Sequence, residues 1–283
     1  MKKVIAILLT LALVIVAFAA CGGSTTTDTT TAADDTTAAA DDTTAAETVA
    51  DLDYIKEKGT LVVGITNFAP MDYQEKGSEE WIGFDADMAK KFAEKLGVKV
   101  EFSEIAWENK VLELDSKNID CVWNGMTLDD EVKAAMSCSK AYCNNAQVIV
   151  VPADKAEQYA TAEACKELSF AVENGSAGKK QAEANGFKFT EVVDQATAVQ
   201  EVAAGTSDAA IIDSLMACAM VGEGTGFEQL TYTASLNSEE YGVGFRTGSD
   251  LVDAFNTFLD EAIADGTAQA IAEQYGVQAA LIK

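Results

Sequence analysis

The sequence predicts an α/β protein built as two lobes that face each other across a cleft. Strand-like and helix-like segments alternate as βαβαβ over residues 61–124, and the same alternation recurs over residues 168–213. A strand-like return segment, residues 241–245 (YGVGF), then leads to C-terminal helices. Alternation of this kind gives a mostly parallel sheet flanked by helices in each lobe. Two crossings between lobes permit hinge closure while restricting twist.

In chain order, residues 61–66 (LVVGIT) form the near-continuous apolar run of a strand buried on both faces. Asn67, Phe68, Ala69 and Pro70 make a loop at its carboxyl end. Phe84, Met88, Ala89, Phe92, Ala93 and Leu96 recur at helical spacing opposite a charged face, and Gly97 stops that helix. Val98, Val100 and Phe102 alternate as a second strand, and residues 109–114 read as a helix. Over residues 118–124, Ile119, Cys121 and Trp123 alternate as a third strand, which gives way to a turn at Gly125. Thr127 followed by Asp130 fits a capping box, with Asp129, Asp130 and Glu131 in the first helical turn. Small ligands bind in the crevice beyond the carboxyl ends of such strands, so Gly125 and Thr127 are expected on the wall of a small-molecule site.

The second unit has strands over residues 168–173, 187–193 and 209–212, the last ending at Asp213. A Gly-containing turn over 174–178 and helices over 179–185 and 196–204 connect them, and residues 147–151 (QVIVV) join the two units. Helices over 251–263 and 268–275 complete the chain. Lobe 1 is therefore expected from residues 52–146 plus 242–283, and lobe 2 with the hinge strands from 147–241.

At the other end, two lysines, an apolar run and the small residues Ala19 and Ala20 precede Cys21. That reads as a signal peptide over residues 1–20, with Cys21 lipidated as in a bacterial lipobox, although Phe18 stands where Leu is usual. Residues 21–51, rich in Thr, Ala and Asp, cannot bury apolar surface and are expected to be a disordered tether. Together these imply export and a lipid anchor on the outer face of the cell membrane.

The net charge of −26 argues against nucleic acid, whose phosphates would repel the chain. Histidine is absent, which removes Ser-His and Cys-His catalysis and histidine metal sites. The cysteines other than Cys21 lack C-x-x-C spacing, so neither a metal site nor a disulfide framework is indicated, and burial as small hydrophobes is expected. No cofactor is expected.

GFDADMAKKFAEKLGVKVEF from Gly83, the run from Trp107 to LDSKNID, then NGMT, SEEYGVGF and ADGTAQAIAEQYG resemble, in order, the solute-binding proteins of bacterial polar amino-acid ABC transporters, family 3. Ala86 and Phe92 depart slightly from the usual signature residues. The resemblance covers nearly all of residues 52–276. It implies a Venus-flytrap (periplasmic-binding-protein) fold that traps one amino acid and delivers it to an ABC permease, as a monomer and without catalysis. By position, Phe68 and Trp107 resemble aromatic walls of lobe 1, while Gly125 and Thr127 resemble its ligand-facing carbonyl and hydroxyl. Ser176 and Ala177 resemble backbone donors of lobe 2, and Asp213 resembles the carboxylate that pairs with the α-ammonium. Glu173 falls where some relatives carry lysine.

The family commonly reads T-x-x-E-R where this chain has Val132, and Arg246 is the only arginine in the sequence. A pocket with Asp213 and Glu173 and no arginine clamp favours a cationic or zwitterionic ligand. Blander readings stand beside the functional ones. Phe68, Trp107 and Trp123 could be core aromatics, Glu173 could face solvent, and Thr127 could be only an N-cap. A non-amino-acid small amine, dehydratase-like chemistry on the same fold, and a sensor domain are the alternatives to amino-acid delivery.

Overall fold

The computed structural model describes residues 50–283. The expected signal peptide, Cys21 and all but the last two residues of the tether lie outside the described residues. The first lobe opens with α1 (Asp51–Lys58) and β1 (Thr60–Ile65), whose Leu61, Val63 and Ile65 are fully buried. A hairpin of β2 (Tyr73–Gln74) and β3 (Trp81–Ile82) precedes α2 (Phe84–Leu96), which ends at Gly97 in the left-handed conformation. Its bounds are those the apolar periodicity predicts.

β4 (Lys99–Glu104) then pairs parallel with β1. A 3₁₀ turn (Trp107–Asn109) enters α3 (Lys110–Asp115), followed by β5 (Cys121–Thr127), also parallel to β1. α4 (Asp130–Ala135), β6 (Ser137–Cys138) and β7 (Cys143–Asn145) complete this part of the lobe.

Ala146 carries the chain into the second lobe. Its elements are β8 (Gln147–Pro152), β9 (Ser169–Glu173), α5 (Ala177–Asn185), β10 (Lys188–Val192), α6 (Gln195–Ala204), β11 (Ala209–Asp213), α7 (Ser214–Met220) and β12 (Leu230–Ser235). The sheet order is β10-β9-β11-β8-β12, with β8 antiparallel to both neighbours. Residues 147–151 are thus a central strand of this sheet as well as the link into it. Phe170 and Phe187 stack at 4.5 Å in its core.

Leu236, Asn237 and Ser238 return the chain to β13 (Glu239–Phe245), which completes the first sheet in the order β4-β1-β5-β13-β6, with β7 also on β13. Glu239, Glu240 and Tyr241, assigned to lobe 2 from the sequence, pair with β7 and so belong to the first sheet. The two crossings are bonded together, since Gln147 N donates to Asn237 Oδ1 at 2.6 Å and Leu236 N to Gln147 O at 2.8 Å. α8 (Leu251–Ala264) and α9 (Thr267–Gln274) end the chain, and Phe255 packs against Trp123, Phe92 and Phe245.

The strand expected over residues 118–124 lies three residues further on. Antiparallel pairing with β13 sets Tyr241 opposite Thr127 and Gly242 opposite Met126, so Gly125 and Thr127 lie within the strand and not in a turn after it. Arg246, just past β13, is buried. Its Nε bonds Asp51 at 3.0 and 2.9 Å, Nη1 bonds the carbonyls of Leu114 and Ile119, and Nη2 reaches Asp120. It ties α1 to the approach to β5.

Candidate ligand-binding cleft

The lobes close over a narrow cavity between them. Phe68, Trp107, Gly125 and Thr127 line it from the first lobe, and Glu173, Ser176, Ala177 and Asp213 from the second. The structure thus brings together all eight residues singled out from the sequence. Trp123 is not among them: it is buried in the core, edge-on to Phe255 at 4.8 Å.

On the first wall, Phe68 meets Tyr241 edge-to-face at 6.3 Å. Gly125 has φ +55°, and a Cβ there would lie 2.5 Å from Phe68 Cε1, so only glycine lets the ring approach the strand. The Gly125 N–H donates to Asp85 Oδ2 at 2.7 Å. Thr127 is not the N-cap of α4; Asp129 is, accepting from Val132 N at 2.8 Å. The strand carries Thr127 away from the helix, and its Oγ1 donates instead to Glu239 Oε1 at 3.0 Å.

On the second wall, Asp213 accepts from Tyr241 Oη at 2.6 Å, from Gln147 Nε2 at 2.9 Å, and from Asn145 and Gln195. All four donors are neutral. Burial, then the charge of Glu239, pushes the Asp213 carboxyl up to about 7. Glu239 accepts from Thr127, Asn145, Gln147 and Asn237, again all neutral. Glu173 is 2 % exposed, faces the cavity and not solvent, and its Oε1 has no hydrogen-bond partner. Burial and the neighbouring Asp213 raise its pKa well above the carboxylate range.

Two lysines that the sequence reading did not single out line the same cavity. Lys110 Nζ lies 4.8 Å from the centre of the Trp107 ring and donates to Trp107 O at 3.2 Å and to Gly175 O at 3.1 Å, so it touches both lobes. Burial lowers its pKa. Lys180 of α5 pairs with Asp129 and Glu131 of the first lobe, both at 2.7 Å. Gln195, Asn145, Gln147 and Glu239 were also missed. Helical spacing carries a signal for the lysines: Lys110 lies three residues after Trp107, and Lys180 four after Ser176.

A two-lobed α/β body with a charged cleft beside paired hinge crossings is that of a hinge-closing small-molecule binder. The chain belongs to the bacterial extracellular solute-binding proteins, family 3, matched over residues 61–278, and its role is that of a substrate-binding protein. It is 30 % identical to an L-cystine-binding protein of Escherichia coli over 227 residues, covering 79 % of this chain and 85 % of that relative. Arginine-bound ArgBP from T. maritima superposes with a TM-score of 0.69 at 30 % identity, covering 74 % of this chain and 99 % of that one. An ancestral amino acid-binding protein, a precursor of cyclohexadienyl dehydratase, gives a TM-score of 0.73 at 30 % identity, covering 80 % and 99 %.

Proposed function

We propose that the protein captures an amino acid, cationic or zwitterionic as a whole, and delivers it to an ABC permease. The observation that carries this is Glu173 Oε1, a buried acceptor without a partner, beside Asp213, whose own partners are all neutral. Buried carboxylates without a cation are costly, and a ligand ammonium entering here would supply it. Phe68 and Trp107 would form the apolar walls, and Gly125, Thr127, Ser176 and Ala177 the polar contacts. Similarity to a cystine-binding and an arginine-binding protein supports the ligand class. Ligand contacts to both lobes favour the closed form.

The chain acts as a binder and not an enzyme, as a monomer, and is exported and held by a lipid on Cys21 at the outer face of the cell membrane. An amine lacking the carboxylate is the second reading, favoured by the two carboxylates Glu173 and Asp213 on one wall of the cavity, with the charge of Glu239 acting on Asp213 from outside it.

A thermal-shift screen against L-arginine, L-cystine, other amino acids and polyamines tests both. Stabilisation should grow with the ratio of ligand to dissociation constant, and L-arginine or L-cystine should lead. An equal shift with glutamate would overturn the charge preference, and shifts with polyamines alone would favour the second reading. Lipidation is tested by Cys21→Ser, which should release the protein from membranes.

A further inference from the structure

We propose that Lys110, on α3, is the anchor for the ligand's α-carboxylate; the inference rests on the amino-acid reading above. Among the described residues, the cavity is lined by only two cations, Lys110 and Lys180. Lys180 is committed to Asp129 and Glu131. The chain's single arginine, Arg246, is committed to Asp51 and Asp120. Val132, at the start of α4, presents an apolar side chain to the cavity.

Lys110 is different. It is 9 % exposed, and its hydrogen-bond acceptors are two neutral main-chain carbonyls. An ammonium has three N–H donors, so one is left over. Glu173, Asp129 and Glu131 act on this cation through their charge but none accepts a hydrogen bond from it, and Lys110 faces a cavity.

The surroundings fit an anion at that point. Gly175, whose carbonyl Lys110 meets, precedes Ser176, the N-cap of the nine-residue α5, and Ser176 and Ala177 line the same cavity. The positive end of that helix therefore lies beside the ammonium. Glu173, with its unpartnered Oε1, lies on the second wall as the acceptor for a positive group. An α-amino acid carries both charges, and the cavity offers both complements. Because Lys110 bonds Trp107 of one lobe and Gly175 of the other, its contact with the ligand also ties recognition to closure.

The test is calorimetric titration of wild type and Lys110→Met with two matched pairs: L-arginine with agmatine, and L-cystine with cystamine. Agmatine lacks the one carboxylate of arginine, and cystamine lacks both of cystine's. Wild type should prefer the amino acid by roughly 10- to 100-fold, as for a charge-assisted hydrogen bond. Lys110→Met should abolish that preference, weakening the amino acid by roughly tenfold or more beyond any loss it shares with its amine through the missing Gly175 contact, and Lys110→Arg should keep the preference. Equal weakening of both members by Lys110→Met would overturn the proposal and make Lys110 a contact between lobes alone. So would an undiminished preference, or a wild type without one. Wild type that binds none of the four probes would overturn the amino-acid reading and this inference with it. Circular dichroism confirms the fold of each variant; should Lys110→Met not fold, Lys110→Gln and Lys110→Arg make the same comparison.

Discussion

Lys180 Nζ of α5 lies 2.7 Å from Asp129 Oδ2, an ion pair that joins the two lobes at the edge of the cleft, with Glu131 Oε2 completing it at 2.7 Å. Burial opposes both charges, yet the hydrogen bonds between them hold Lys180 above and Asp129 below their ordinary values. The pairs are partly exposed, so each contributes at most about 1 kcal/mol. Lys180→Met should weaken ligand binding up to about fivefold at low salt. Raising the salt should shrink the difference between variant and wild type, because screening already weakens the wild-type pair. Affinity that is unchanged at low ionic strength would show that the pair does not hold the closed form.

Gly175 sets a steric condition on closure. Its φ is +73°, and a Cβ would lie 2.7 Å from Glu108 Cα across the cleft. Both atoms belong to main chain or its first side-chain carbon, so neither can swing aside. Gly175→Ala should hold the lobes apart, lower affinity at least tenfold, and cost about 1 kcal/mol of stability from the left-handed backbone. Small-angle scattering should show no compaction when ligand is added. Compaction equal to wild type would refute the steric account.

Binding should depend on pH through Asp213. Its carboxyl is pushed up to about 7 by burial and then by Glu239, so the empty cleft holds it largely neutral in mild acid. A ligand ammonium binds the ionised form, and ionisation below that value costs binding free energy. Affinity for L-arginine should therefore fall by up to about tenfold per unit as pH drops from 7 to 5, with proton release on binding. Glu173, raised still more clearly, steepens the fall. Asp213→Asn should lose most of the affinity while remaining folded. A flat profile between pH 5 and 8 would exclude an ion pair at Asp213.

The backbone plan was legible because its signals are local. The α2 stripe from Phe84 to Leu96, Gly97 as its stop, and the buried strand ending at Asp213 needed only periodicity and one breaker residue. Thr127 shows where locality fails. Its capping-box spacing is genuine, but pairing with Tyr241, over a hundred residues later, extends β5 through it and moves the cap to Asp129. Lys110 carried only its spacing from Trp107 and Glu239 no signal at all, because each acts through partners brought from the other half of the molecule. The β2–β3 hairpin, with only two residues in each strand, carries too little pattern to be read.

Beneath Gly125, Asp85 links the cleft wall to the core. Its Oδ2 accepts from Gly125 N and from Tyr142 Oη, both at 2.7 Å, while Oδ1 has no partner. Burial pushes this carboxyl from 3.8 to about 7. A folded value above the unfolded one means that the stabilising contribution is fully present below about 4 and is lost as pH rises through about 7. Asparagine retains an acceptor for Gly125 and Tyr142 but never ionises. Asp85→Asn should therefore gain on wild type across that interval, reaching an advantage on the order of a few kcal/mol at pH 8. Asp72, buried and raised in part by the charge of Asp85, should be relieved in the same variant. The measurement is the melting temperature of ligand-free wild type and variant at pH 5 and pH 8. The variant's margin should be clearly larger at pH 8, and an equal offset at both would mean that Asp85 does not titrate in this range and that its unpartnered oxygen is satisfied in another way.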